Sequence, residues 1–250
     1  MPTAAGIAQQ VVFPAAAGDG VVKAPWMDRY GAQLVRPMGI GPTDALHPIL
    51  YRGTTPTWGV AGGIAVSSGA RATFSATECI TLFRNTAGAG GKYVIPLWVR
   101  MIMVTAGTAG TNCNFGLILD AINRYSSGGT TITGVTGANS AKSDASDTPV
   151  CTAYVGSVAA VAASAPRQMG RGMALQRAAA PAFVVGDEIL VTFGSAQAAA
   201  PQVIAATASR YVVPLAPVAI APGHSALLHY WSTAQSAAPT AEFEVAWAEI

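Results

Sequence analysis

The chain has 250 residues, 51% of them hydrophobic, with only 14 Lys or Arg and 12 Asp or Glu and a formal net charge of +2. An ordinary soluble domain is roughly 25% charged, whereas this one is 10% charged, so much of its exterior falls to Ala, Gly, Ser and Thr, a skin that sticks to itself unless neighbours cover it. The near-neutral balance argues against a nucleic-acid binder, which concentrates Lys and Arg on one face, and the longest apolar run, Tyr93 to Thr105, holds Pro96 and Arg100 and falls short of the roughly 20 residues of a membrane span.

Met1 to Ala17 has no Lys or Arg ahead of its apolar residues and is interrupted by Gln9, Gln10 and Pro14, so it does not read as a secretory signal. Residues 1–63 carry Pro2, Pro14, Pro25, Pro37, Pro42, Pro48 and Pro56 without a sustained period of 2 or 3.6. Repeated proline removes backbone donors and favours extended chain, so this stretch is expected to be an arm lying along another surface. Trp26, Tyr30, Tyr51 and Trp58 are its expected anchors on a partner.

Residues 64–250 read as one β domain. Arg71 to Asn85 alternates Thr and Ser against Phe74, Ala76, Ile80 and Leu82, the pattern of a half-buried strand. In Tyr93 to Thr105 both alternating sets are apolar, as in a strand covered on both faces. Phe115 to Ile122 is a further strand, Asn123 to Asn139 a loop or short hairpin, and Asn139 to Pro149 a polar exposed stretch. Cys151 to Val161 and Met173 to Arg177 are weaker strand candidates. Val184 to Gly194 (VVGDEILVTFG) is a Gly-Asp turn and a strand, Tyr211 to Ile220 is extended, and Ala221 to Ser225 (APGHS) turns the chain into Ala226 to Trp231. Ala241 to Ile250 alternates Phe243, Val245 and Trp247 against Glu242, Glu244, Ala246 and Ala248; the two glutamates read as charges guarding an edge strand. Strands this numerous between short turns predict an all-β antiparallel sandwich or barrel.

No catalytic constellation emerges. Gly88 to Lys92 (GAGGK) lacks the first Gly and the terminal Ser/Thr of a phosphate loop and reads as a turn between strands. His47, His224 and His229 have no metal-ligand spacing, no Gly-x-Ser-x-Gly elbow occurs, and Asp144 and Asp147 fall short of a calcium loop. Cys79, Cys113 and Cys151 are odd in number and widely spaced, which predicts buried free thiols rather than disulfides or zinc ligands. No cofactor, metal or enzymatic activity is expected. The densest positive cluster, Arg167, Arg171 and Arg177, is a candidate for pairing with carboxylates of a partner.

The strings NRYSSGGT (123–130), PRQMGRG (166–172), VVGDE (184–188), APGHSALLHYW (221–231) and AEFEVAWAE (241–249) resemble structural proteins of tailed-bacteriophage heads. The resemblance covers about residues 71–250. It implies an antiparallel jelly-roll sandwich that forms a homotrimer and decorates or cements the major capsid protein lattice on the capsid exterior, with the N-terminal arm fixing it there after assembly in the host bacterial cytoplasm. Two rivals accompany it: a major or minor capsid shell subunit, and a carbohydrate- or receptor-binding head of a phage fibre, in which Trp58, Tyr125 or Trp231 would stack on sugar.

Overall fold

The computed structural model describes residues 57–59, 64–67, 69, 71–107, 112–132, 139–140, 149–176, 183–194, 202–203, 208–233 and 235–250. All belong to one unit, Gly41–Ile250. In chain order the strands are β1 (Thr57–Gly59), β2 (Ile64–Ser67), β3 (Glu78–Asn85), β4 (Val94–Thr105), β5 (Asn112–Asp120), β6 (Tyr125–Ile132), β7 (Asn139–Ser140), β8 (Cys151–Ala160), β9 (Arg167–Gln176), β10 (Glu188–Phe193), β11 (Gln202–Val203), β12 (Ser209–Leu215), β13 (Ser225–Ser232) and β14 (Thr240–Glu249). No helix occurs among the described residues, so none there is long and apolar enough to cross a membrane.

The strands make two sheets. One runs β11-β12-β10-β4-β14-β1-β7, with β2 also on β14; the other runs β6-β8-β3-β13-β5-β9. All neighbours are antiparallel except β10 and β12. β1 and β2 follow each other along one flank of β14, Thr57 opposite Ala248 and Ile64 opposite Phe243, and act as one interrupted strand.

The alternation of β14 translates directly into packing. Phe243, Val245 and Trp247 enter the core beside Val99, Met101, Ile189, Val191 and Val213 of their own sheet, and meet Phe83, Phe115, Leu117, Leu228 and Tyr230 of the other. Aromatic contacts bridge the sheets: Phe83 lies edge-on to Trp247 at 6.5 Å and to Phe193 at 6.2 Å. Full burial of each such side chain contributes about 1.5–3 kcal/mol, and the two sheets form a sandwich-like arrangement around this shared core.

At the open side of the sandwich β9 closes against β12. Gly172 faces inward, and a Cβ there would stand 2.5 Å from Val213 Cγ1. A stiff, β-branched neighbour cannot rotate away, so Gly172→Ala is expected to lower the unfolding free energy by about 1–3 kcal/mol, read from urea denaturation.

The structure changes several details read from sequence. Thr57–Gly59, within the stretch read as an arm, is a strand of the eight-stranded sheet. Arg71 to Thr77 is not strand; β3 starts at Glu78. The Gly/Ser/Thr-rich loop holds strand β6, which Gly128 and Gly129, at φ of 74° and 71°, bend past an irregular register with β8. The strand expected over Met173 to Arg177 begins earlier, β9 covering Arg167–Gln176. β14 is no edge: it is flanked by β4 on one side and β1 and β2 on the other. The turns at Gly186 and Gly223 fall where expected, with φ of 88° and 78°.

Cys79, Cys113 and Cys151 are all buried thiols outside any disulfide. Burial pushes the Cys79 thiol up to about 12, and burial followed by the Glu249 carboxylate pushes Cys151 well above its ordinary value. Thiolate is the reactive form. The native protein is therefore expected to give no reaction with a thiol reagent at pH 8, and three thiols per chain once unfolded in urea.

Candidate functional site

The outer face of the six-stranded sheet brings together Trp231, Arg171 and Phe74. Paired strand residues share a face, so the register sets Trp231 of β13 opposite Asn114 of β5, and Gly116 opposite Arg171 of β9. Gly116 has no side chain to hold the indole off the sheet, and its Cβ position would lie 3.4 Å from the Trp231 ring. The Arg171 guanidinium stands 5.1 Å from the indole centroid, within cation–π range, and its Nη2 donates to Asn114 Oδ1 at 3.3 Å. Phe74 forms a wall, edge-on to Trp231 at 5.4 Å and tilted over His229 at 5.1 Å. Phe74 and Met173, opposite Asn114, are each about half exposed.

Chemically this is an aromatic corner with a guanidinium and an amide at its rim. Such a corner can stack on a flat apolar surface and hydrogen-bond polar groups at its edge. A neighbouring aromatic pair is already consumed: Tyr125 stacks on Tyr154 at 3.7 Å, and its hydroxyl donates to the Gly128 carbonyl.

Beneath the corner runs a buried polar layer. Arg71, Arg124 and His229 are almost fully buried. The backbone N–H of Arg71 donates to Gln235 Oε1 and its carbonyl accepts from Ser232 N, pinning the segment 71–78 onto β13. Arg124 donates to the Val161 and Ala76 carbonyls at 2.7–3.0 Å. His229 Nδ1 lies 2.7 Å from the Glu78 carbonyl, which makes Nδ1 the protonated nitrogen of the neutral ring.

The outer face of the other sheet carries an ionic chain across four strands. Arg100 of β4 binds Glu188 of β10 at 3.0 Å and Glu244 of β14 at 2.8 Å, and Arg210 of β12 binds Glu188 at 2.9 Å. The hydrogen bond with Glu244 leads in raising the Arg100 pKa. Burial pushes the Glu188 carboxyl up, but hydrogen bonds from Arg210 and Arg100 outweigh it and leave the group below its ordinary value. Glu244 is thus an answered charge inside a sheet. Beside the chain lies a small outward apolar cluster of Leu97, Ala246 and Ala248 with Ile95 and Trp98.

The residues expected to bind a partner fare differently. Trp26, Tyr30, Tyr51 and Arg177, with Asp144 and Asp147, lie outside the described residues. Trp58 is the middle residue of β1, paired with Trp247 and Ser140. Arg167 and Arg171 do not converge. Arg167 is opposite Leu119, which packs toward the core, whereas Arg171 is opposite Gly116 on the outside. Sequence reasoning missed Phe74, Asn114 and Met173 because strand register, not spacing, assembles them. Among the described residues no cluster of three His, Cys, Asp or Glu can hold a metal ion. No protein-family model, curated protein or solved structure matches the chain.

Proposed function

We propose that the chain is a non-enzymatic structural protein of a phage head, a jelly-roll decoration or cement protein that binds the major capsid protein lattice from outside as a homotrimer. Strand order is the observation that carries this reading. A jelly roll is one long antiparallel hairpin rolled into a two-sheet sandwich. With eight principal strands it pairs first with last, second with seventh, third with sixth and fourth with fifth. Counting β1 and β2 as one, those pairs here are β1/β2 with β14, β3 with β13, β4 with β10, and β5 with β9. Rolling then adds third to last and fourth to seventh, which correspond to β4 with β14 and β5 with β13. On this count β6 to β8 insert between the fourth and fifth strands, and β11 and β12 between the sixth and seventh.

Four of the five strings that resemble phage head proteins fall on these principal strands or their turns: β9, β10, β13 and β14; the fifth leads into β6. The scarcity of charge supports burial of the exterior by repeated neighbours, where even a standard interface gains from repetition. A chain lacking residues 1–56, which keeps Thr57 and hence β1, is expected to remain a folded trimer but to lose co-sedimentation with heads of the encoding phage. A truncated protein that still decorates heads would refute the arm as the anchor, and a monomeric full-length chain that binds no head would refute the proposal.

The aromatic corner of Phe74, Trp231 and Arg171 favours a second reading, a glycan-binding head on a fibre. Binding to a glycan array that is lost in Trp231→Ala, with the protein located on the tail, would put this reading first.

A further inference from the structure

The buried layer under Phe74 has a hydrogen-bonding deficit of unusual kind. Arg71 Nη1 and Nη2, Arg124 Nη1 and His229 Nε2 are all buried and make no hydrogen bond. The carboxylates nearest the two guanidiniums both stop short of hydrogen bonding, Glu78 at 3.6 Å from Arg71 Nε and Asp120 at 3.6 Å from Arg124 Nη1, and the Glu78 carboxylate is half exposed. Buried charges are costly unless paired and hydrogen-bonded, and most buried polar atoms in proteins find a partner.

The three side chains hang from one short stretch of chain. The Glu78 carboxylate faces Arg71, the Glu78 carbonyl accepts from His229, and the Ala76 carbonyl accepts from Arg124. Both guanidinium charges act on the His229 imidazole, where the Glu78 and Ser75 backbone groups oppose them, and on the Cys79 thiol. From the other packed elements, Asp120 of β5 adjoins Arg124, and Arg171 of β9, held on Trp231, stands in the cross-strand row of His229 with Gly116 between them.

We propose that Arg71, Arg124 and His229 form a site for a small free oxyanion, of the sulfate or phosphate class, that is taken up together with one proton. The N–H groups of Arg71 Nη1 and Nη2 and of Arg124 Nη1 are donors in search of a hydrogen-bond acceptor. His229 Nε2 in the neutral ring is an acceptor, and it faces an anion favourably only after a proton from solvent converts it to N–H. Arg71 and Arg124 are too deeply buried for a phosphoryl group attached to a macromolecule, which selects a free ion. The segment 71–78 is the cover, with Phe74 as its half-exposed outer side chain.

The test is isothermal titration of the full chain with sodium sulfate, with sodium chloride at matched ionic strength as control, in two buffers of different ionisation enthalpy. Sulfate carries no proton of its own near neutral pH, so any proton taken up goes to the protein. The expected result is a single saturable site with uptake of close to one proton, its affinity falling about tenfold per pH unit from pH 5 to pH 7. His229→Asn, whose amide can still donate to the Glu78 carbonyl, should bind with no such slope, and Arg71→Met should bind at least tenfold more weakly while circular dichroism reports the same β content. Should Arg71→Met fail to fold, the wild-type slope and its loss in His229→Asn decide alone. An equal response to chloride, a non-saturating titration, or a slope retained in His229→Asn overturns the proposal.

Discussion

Glu249→Ala is expected to lower the unfolding free energy by about 3–5 kcal/mol, one of the largest effects available to a single substitution in this chain. The Glu249 carboxylate is completely buried, and three donors converge on it: Val150 N and Cys151 N, both at 2.9 Å from Oε1, and Trp247 Nε1 at 3.1 Å. Truncation strands all three in a dry environment, and each orphan donor costs about 1–3 kcal/mol. The position also joins the sheets, since β14 belongs to one and the start of β8 to the other. Glu249→Gln should lose less, because one oxygen still accepts while the amide N–H₂ confronts a donor. Urea unfolding at pH 7 measures both. A Glu249→Ala protein within about 1 kcal/mol of the parent would show that water replaces the carboxylate freely.

Acid should destabilise the protein through His229 before most carboxylates titrate. Burial first, and then the Arg124 and Arg71 charges, lower the imidazole to about 4 from an ordinary value of 6.5, against the opposing backbone hydrogen bonds to Glu78 and Ser75. The folded state therefore resists a proton that the unfolded chain accepts. Stability from this group is fully present above about pH 6.5, declines as the pH falls, and levels off below about 4. At about 1.4 kcal/mol per pH unit the loss is about 3 kcal/mol. Urea midpoints in chloride buffers from pH 7.5 to 4.5 test this against His229→Asn, which should be nearly flat over the window. Parallel curves for the two proteins would assign the acid sensitivity elsewhere.

Where burial was one-sided, the sequence was readable. The alternation of Phe243, Val245 and Trp247 predicted β14 and its inward face, and the Gly-Asp and Pro-Gly pairs predicted the turns at Gly186 and Gly223. Where a residue's meaning depended on a distant strand, the same reasoning misfired. Glu244 looked like an edge guard because its answering Arg100 lies far away in sequence, brought alongside by the β14–β4 register. Strand β9 was expected only from Met173 onward, because its first half carries Gly170 and Gly172, whose lack of a side chain is what admits Leu215 and Val213. The buried layer was illegible for a related reason. Arginine usually signals solvent, and nothing near Arg71 or Arg124 in sequence announces that segment 71–78 folds back over them. Trp231 was foreseen as an exposed aromatic, but its companions Phe74 and Arg171 come from other parts of the chain.

The flank that β14 offers to β1 and β2 has a bearing on biosynthesis. Thr57 cannot find Ala248 until the whole stretch between them has been synthesised, and β14 also completes the contacts of Met101 and Val99. While the ribosome still holds β14, the nascent chain carries apolar strands with their central neighbour missing, the kind of long-range pairing that slows folding and invites aggregation. A premature stop before Thr240 would thus release a polypeptide with no route to the native sheet, a natural target for chaperones and proteases.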